Sequence, residues 1–330
     1  MNLVVLGSGA WGTALAVTLS AAHRVTLWSR DAEQCRQMQT LRVNRRYLPD
    51  VALPADLQLS TDLPASLAEC ECAIVAVTLA ALRDTLRALA QTGRPIPVIW
   101  LCKGLEARTA KLPHQVAQEE LPAAAPRGVL SGPSFAQEVA RGIPAAVTLA
   151  SEDAVFSARL ARELHTLRLR VYSSQDVVGV EVGGAAKNVI AIAAGISDGL
   201  GFGESARAAL ITRGLAEITR LGLKLSARPE TLMGLSGVGD LILTCTGNLS
   251  RNRQVGLRLA GGRALPDILR DLGHVAEGVH SAPELSKIAA AAGAETPIID
   301  AVCAVLYAGL APLAAVDQLL RRDPKPEHRS

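Results

Sequence analysis

The sequence predicts an α/β chain in which a doubly wound, mostly parallel sheet is followed by an all-α region. Up to about residue 175, short apolar runs alternate with longer stretches carrying Leu and Ala at helical spacing, as strands and crossover helices do. A glycine-rich turn directly follows the first apolar run. Beyond residue 175, helical patterns continue with hardly a strand signal, which sets expected domains at 1–175 and 176–330.

In the first half, strands are expected at residues 3–6, 24–28, 73–77, 97–101, 128–130 and 145–149, with helices at 11–21, 31–39 and 80–90. The helix at 31–39 opens on Asp31 as N-cap, with Gln34 three residues on, a pairing that satisfies free N–H groups at a helix start. Residues 177–201 are almost uniformly small and apolar, which suggests a buried helix at the centre of a helical domain. Further helices are expected at 205–221, 251–260, 266–272, 282–292 and 297–308. Residues 321–330 hold two Pro and six charged residues and read as a frayed tail.

At 330 residues the chain can bury two cores without a disulfide staple. Its net charge of +3 is too small for a nucleic-acid protein dominated by phosphate neutralisation, and its nine aromatics leave little for base stacking. No nucleic-acid partner is expected, and any bound anion should be small. The six cysteines form no C-x-x-C pair and no Cys/His cluster at zinc spacing, so no metal is expected. Cys70 and Cys72 read as packing residues on opposite faces of a strand. The N-terminus lacks a signal-peptide pattern, and no apolar run approaches the roughly 18 residues of a membrane span. A soluble cytoplasmic protein without membrane insertion is the expectation.

Gly7-Ser8-Gly9-Ala10-Trp11-Gly12 is a G-x-G-x-x-G placed after a strand and opening a helix. Gly7 permits the tight turn, Gly9 lets the backbone approach a pyrophosphate, and Gly12 allows close helix–strand packing. Ala10 and Trp11 begin the helix whose free N–H groups face the phosphates. A Rossmann-type dinucleotide-binding domain is therefore expected, against the bland alternative of a glycine turn without a ligand. At the end of the second strand, where NAD-binding proteins usually place an acid, stands Trp28-Ser29-Arg30. An Arg fork and a Ser hydroxyl suit a 2′-phosphate, so NADP(H) is favoured over NAD(H), although Asp31 lies one residue on. Arg30 can equally be a solvated surface charge.

Further segments follow: Cys102-Lys103-Gly104-Leu105-Glu106, Gly132-Pro133-Ser134-Phe135-Ala136, Lys187-Asn188, Gly237-Val238-Gly239-Asp240 running into Thr244-Cys245, Ser250-Arg251-Asn252-Arg253, and Val275-Ala276-Glu277-Gly278. In that order and behind a dinucleotide loop, the chain resembles the bacterial NAD(P)-dependent sn-glycerol-3-phosphate dehydrogenase family over essentially its whole length. The resemblance implies a Rossmann domain and a helical domain with the active site in the cleft between them. It further implies interconversion of dihydroxyacetone phosphate and sn-glycerol 3-phosphate, reduction supplying glycerophospholipid synthesis.

Hydride transfer to a carbonyl leaves an alkoxide that must receive a proton, so the site needs an acid/base and a cationic or hydrogen-bonding stabiliser. Lys187, at the start of a long apolar stretch, would have its pKa lowered by burial. It reads as that group or as a salt-bridged helix lysine, and the resemblance makes it the proton donor and acceptor. Asp240 reads as a helix N-cap or, by resemblance, as a substrate-site carboxylate holding Lys187, with Thr244 a turn later on the same face. Ser250, Arg251 and Asn252 offer a hydroxyl, a guanidinium and an amide at a helix start, where phosphate is attracted. The resemblance gives all three to glycerol phosphate, with Arg251 also near the cofactor; otherwise they are a solvated cluster with Ser250 as a cap. By resemblance, Lys103 touches both substrate and nicotinamide and shares the catalytic set with Lys187 and Asp240. Gly132, Ser134 and Asn188 go to the substrate, and Ala136, Val275 and Glu277 to the cofactor. Trp11, Arg30 and Tyr47 stand where the family admits several residue types, so cofactor preference rests on Arg30 alone.

Two competitors remain. One is another dehydrogenase of this architecture, acting on a 3-hydroxy acid or sugar acid, for which phosphate would be dispensable. The other is an NADPH-sensing regulator without turnover, against which Lys187 and Asp240 weigh, since a sensor needs no proton relay. A homodimer interface in the Ala-rich helical half is open.

Overall fold

The computed structural model describes residues 1–273 and 275–322. Its first part runs β1 (Asn2–Leu6), α1 (Ala10–Ser20), β2 (Arg24–Trp28), α2 (Ala32–Leu41), β3 (Val43–Asn44), β4 (Leu48–Ala52), β5 (Gln58–Ser60), α3 (Leu63–Leu67), β6 (Cys72–Val75), α4 (Leu82–Ala90), β7 (Val98–Trp100), α5 (Pro113–Glu120), β8 (Arg127–Ser131), α6 (Ala136–Ala140), β9 (Ala145–Ala150), α7 (Ala154–Leu164) and β10 (Leu169–Ser174). Eight strands form one sheet in the order β10-β9-β8-β7-β6-β1-β2-β5, parallel except that β9 runs against β8, while β3 and β4 form a separate hairpin. The mostly parallel α/β fold is thus as expected.

Helices cover both faces of the sheet. Along β1, Leu3 and Val5 enter one core and Val4 and Leu6 the other; β6 divides Cys72 and Ile74 from Ala73 and Val75 in the same way. Burial on both faces is why these strands read as unbroken apolar runs. The chain passes from β1 to β2 on one side and returns to β6 on the other. The carboxyl end of β1 is therefore a topological switch point, where such sheets bind ligands.

Several elements escaped the pattern. Edge strand β10 alternates buried Leu169 and Val171 with exposed Arg170 and Tyr172. Helix α7 starts at Asp153, whose carboxylate accepts from Val155 N and Phe156 N at 2.9 Å. Cys70 and Cys72 do fall in different cores, but residues two apart on a strand share a face; they separate because only Cys72 lies in the strand, Cys70 preceding it.

The second part comprises α8 (Val177–Gly199), α9 (Gly203–Lys224), α10 (Pro229–Leu232), a π-helical turn (Leu235–Gly239), α11 (Asp240–Thr246), α12 (Arg251–Ala260), α13 (Leu265–Leu272), α14 (Glu277–Ala292), α15 (Pro297–Tyr307) and α16 (Pro312–Leu320). Contrary to the expectation from apolar runs, α8 is long and apolar enough to cross a membrane, but 89% of that stretch is buried inside the protein. It is the core helix around which the others pack. A Cβ on Gly195 would stand 2.0 Å from Arg253 O, and one on Gly256 2.0 Å from Ile192 O, so α8 and α12 touch backbone to backbone.

Helix α14 begins five residues before the expected 282, with Pro283 inside it. A proline there leaves the carbonyl four residues back without its N–H partner. That carbonyl, on Val279, instead accepts the Tyr307 hydroxyl at 2.7 Å. The tail expected at 321–330 lies, from residue 323 on, outside the described residues.

Candidate active site

The glycine loop caps β1. Gly7 has φ +117°, and a Cβ on it would stand 2.6 Å from Ala76 O; one on Gly12 would stand 2.0 Å from Gly7 O. Above Gly9 there is open space, with nothing within 4 Å of a built Cβ. Helix α1, opened by Ala10 and Trp11, has no side-chain cap and no acid in its first turn, so its positive end faces that space. These are the features a pyrophosphate needs. Ser8 fixes the loop: its carbonyl accepts from Asn44 Nδ2 at 2.9 Å and Gln34 Nε2 at 3.0 Å. Asn44 is fully buried and nothing in its sequence context marks it; the sequence pattern places Gln34 only at the start of α2.

Ser29 does not face a ligand. It is buried, bonded to Ser8 Oγ at 2.8 Å and to the Asp31 backbone, so its hydroxyl belongs to the loop scaffold rather than to a 2′-phosphate. Arg30 is exposed at the end of β2. Asp31 caps α2 through Gln34 N at 3.0 Å and pairs with Arg46 at 3.7 Å.

The chemical centre lies where β7, α8 and α11 meet. Lys187, on α8, donates to Asp240 Oδ1 at 2.5 Å and to Thr244 Oγ1 at 2.9 Å. Lys103, three residues past β7, donates to Asp240 Oδ2 at 2.6 Å. Asp240 is not the N-cap read as its alternative role: Gly239, the last residue of the π-helical turn, precedes it with helical backbone, and both carboxylate oxygens go to lysines. Such single-turn π segments recur at functional sites because they re-aim side chains. Burial lowers the Lys187 pKa to about 7, against the pull of Asp240. Burial also works to raise Asp240, but the two ammonium groups outweigh it and hold the carboxyl below its ordinary value.

Around this centre, Gly132 has φ +149° and a Cβ on it would stand 2.8 Å from Val147 Cα, while Ser134 Oγ donates to Gly132 O at 3.1 Å. Ala136 packs with Trp11 in one small cluster. Ser250 caps α12, its hydroxyl accepting from Arg253 N at 3.2 Å. The Asn252 and Asn188 amides are engaged with each other at 2.9 Å, and Asn252 Oδ1 accepts from Gly278 N at 3.0 Å. Both side chains are buried where α8, α12 and α14 meet. Arg251 is exposed; the walls about it lower its pKa by desolvation, against the fields of Glu277 and Tyr47. Burial raises Glu277, which accepts from the Leu79 backbone. Val275 stands exposed just before α14. Among the described residues no group of three His, Cys, Asp or Glu could hold a metal.

A group that exchanges a proton near neutrality is what hydride transfer to a carbonyl requires, and the open glycine cradle provides for the hydride carrier, so the class is that of the NAD(P)-dependent oxidoreductases. Sequence comparison carries this further. The chain belongs to the NAD-dependent glycerol-3-phosphate dehydrogenase family, whose N-terminal part matches residues 2–157 and whose C-terminal part matches residues 176–317. It is 59% identical to the glycerol-3-phosphate dehydrogenase [NAD(P)+] of Nitrosospira multiformis and 57% identical to that of Thiobacillus denitrificans, covering 99% of this chain in both and 99% and 100% of the relatives. The crystal structure of glycerol-3-phosphate dehydrogenase from Coxiella burnetii superposes with a TM-score of 0.91 at 41% identity, over 97% of this chain and 98% of that one. D-mandelate dehydrogenase with NADH, at 15% identity and a TM-score of 0.62 over 94% and 98% of the two chains, shares the fold alone.

Proposed function

We propose that the chain transfers hydride reversibly between NAD(P)H and dihydroxyacetone phosphate, giving sn-glycerol 3-phosphate, with residues 1–175 binding the dinucleotide and 176–330 supplying substrate site and catalysis. The observation that carries this is the Lys187–Asp240–Lys103 cluster with Lys187 poised near neutrality.

The cradle Gly7, Gly9, Ala10, Trp11 and Gly12 holds the pyrophosphate, and Ala136, Arg251, Val275 and Glu277 complete the cofactor site with Lys103. When bound, the nicotinamide supplies the hydride that the carbonyl carbon accepts. Lys187 gives its proton to the nascent alkoxide and takes it back in the oxidative direction. Asp240 and Thr244 fix the direction of that Nζ. Lys103 places a second positive charge beside the reacting oxygen. Ser250, Arg251 and the backbone at Asn252 hold the phosphate at the positive end of α12, and Gly132, Ser134 and Asn188 shape the remainder of the substrate pocket.

NADP(H) is the preferred cofactor, supported by Arg30 at the end of β2 and by the engagement of Asp31 with α2 and Arg46. The setting is the cytoplasm, and the product feeds glycerophospholipid synthesis.

Oxidation of NADPH and of NADH, followed with dihydroxyacetone phosphate and with dihydroxyacetone, tests this. kcat/KM should be far higher with the phosphorylated ketone than with dihydroxyacetone, and turnover should fall by about 10²-fold or more in Lys187→Ala, the range general acid catalysis covers. Arg30→Ser should shift the NADPH/NADH ratio towards NADH. A wild-type enzyme inert with this substrate would overturn the assignment, and equal use of the unphosphorylated ketone would favour a different dehydrogenase.

A further inference from the structure

We infer that Asp198 and Arg253 form a clamp that positions the start of α12, and with it Arg251, against the helix that carries Lys187. The inference rests on the proposal that this helix start takes the substrate phosphate.

Arg251 and Arg253 are two residues apart, so on an α-helix they point about 200° away from each other. Arg251 is exposed, whereas the Arg253 side chain is only 11% exposed and turns inward. Its Nε and Nη2 reach Asp198 Oδ2 at 2.8 and 2.7 Å, and its Nη1 reaches Asn248 Oδ1 at 3.2 Å. One guanidinium thus ties the loop before α12 to the last turn of α8. A carboxylate in the last turn of a helix faces the negative end of the helix dipole and an arginine in the first turn faces the positive end, so each residue is placed unfavourably by itself and only the pair repairs both. Asp198 also holds Arg207 of α9 through its other oxygen at 3.0 Å, so three helices meet on one carboxylate. Lys187 is eleven residues before Asp198 on the same unbroken helix. The glycine contacts between α8 and α12 fix how closely the helices approach, and the clamp fixes how far α12 slides or rotates. A displacement of about 1 Å in a positioned group is costly to catalysis.

Charge alone makes the opposite prediction. Asp198→Asn removes a negative charge and leaves two arginines near the proposed phosphate site, which by electrostatics should tighten phosphate binding. A clamp predicts weaker binding. The test compares Asp198→Asn, Arg253→Gln, Arg253→Lys, Arg207→Gln and Arg251→Gln, measuring kcat and KM for dihydroxyacetone phosphate, kcat/KM for dihydroxyacetone, KM for NADPH, and thermal unfolding. The expected result is a KM for dihydroxyacetone phosphate raised about tenfold in Asp198→Asn and Arg253→Gln, the size of losing one charge-assisted contact. Arg253→Lys should show part of that rise, and the dihydroxyacetone and NADPH constants should hold. Arg207→Gln, which loosens the same carboxylate without touching α12, should leave the phosphate KM in place.

A lowered phosphate KM in Asp198→Asn, or equal losses with both ketones, overturns the clamp, the second marking a general loss of structure. If Arg253→Gln does not fold, Arg253→Lys decides. Normal constants in the clamp variants beside a raised KM in Arg251→Gln sink the clamp and leave the phosphate proposal standing. An unchanged Arg251→Gln removes the phosphate proposal and the clamp with it.

Discussion

At the scale of the residue, the site rests on one lysine kept from water and one carboxylate shared between two ammonium groups. Reduction requires protonated Lys187, so its rate should be constant below pH 7 and fall as pH rises through about 7; oxidation requires the free amine and should rise over the same range. Asp240→Asn removes the charge that favours the ammonium form, so the falling limb should move to lower pH, and pH profiles of kcat/KM check both statements. A limb that stays in place in Asp240→Asn would mean that another group titrates. Spacing alone put Asp240 and Thr244 on one helix face and Lys187 in an apolar run; it was the family resemblance that joined Lys187 to Asp240, and the two meet at 2.5 Å. What spacing could not show is that the Asn188 and Asn252 amides pair with each other at 2.9 Å, because two helices at backbone contact must satisfy whatever polar atoms lie between them. Ser29 misled in the same way, since burial cannot be read from one hydroxyl beside an arginine.

At the scale of the element, what remained hidden was hidden by long-range partners. Asn44 sits in a two-residue strand with no pattern of its own, yet it holds the cofactor loop through Ser8 O and Thr13 Oγ1 at 2.9 and 2.8 Å. Asn44→Ala should therefore raise the Kd for dinucleotide severalfold while leaving the Lys187 pH limb unmoved, as titration of protein fluorescence with NADPH and the pH profile would show. The helix expected from 282 begins at Glu277 instead, and the structure tolerates Pro283 inside it because Tyr307, on another helix, satisfies Val279 O. Tyr307→Phe should cost about 1 kcal/mol, the net worth of a hydrogen bond, and adding Pro283→Ala should recover it by restoring the helical N–H. Denaturant melts of the four proteins in that cycle would show additivity instead if the hydroxyl and the proline were unrelated.

At the scale of the whole molecule, the two halves are joined by α8 rather than merely linked. Its first turns, Val177 and Val180, belong to a core on one face of the sheet, while Val182 onward belongs to the helical core. Between them Glu181 accepts from Trp100 Nε1 of β7 at 2.9 Å, from His114 N of α5 at 2.9 Å and from His114 Nδ1 at 2.5 Å. Sequence placed the boundary near residue 175 from a change of texture, but could not show that a single acid on the far side of it would anchor two elements of the near side. The coupling predicts one unfolding transition for the full chain, since melting either half strips α8 of a face. It also predicts a pH dependence. Burial lowers the His114 pKa, but the hydrogen bond and charge of Glu181 outweigh it and leave the imidazole above its ordinary value. A histidine raised on folding adds stability that is fully present below its unfolded pKa of about 6.5 and is lost as pH rises through the folded value. Removing one partner of a buried pair costs about 3–5 kcal/mol. His114→Ala should therefore lower Tm most near pH 6 and less near pH 9, while the single transition splits as the halves lose their tie. Calorimetry at the two pH values decides it: a gap between wild type and variant that is equal at both would show that His114 contributes packing alone.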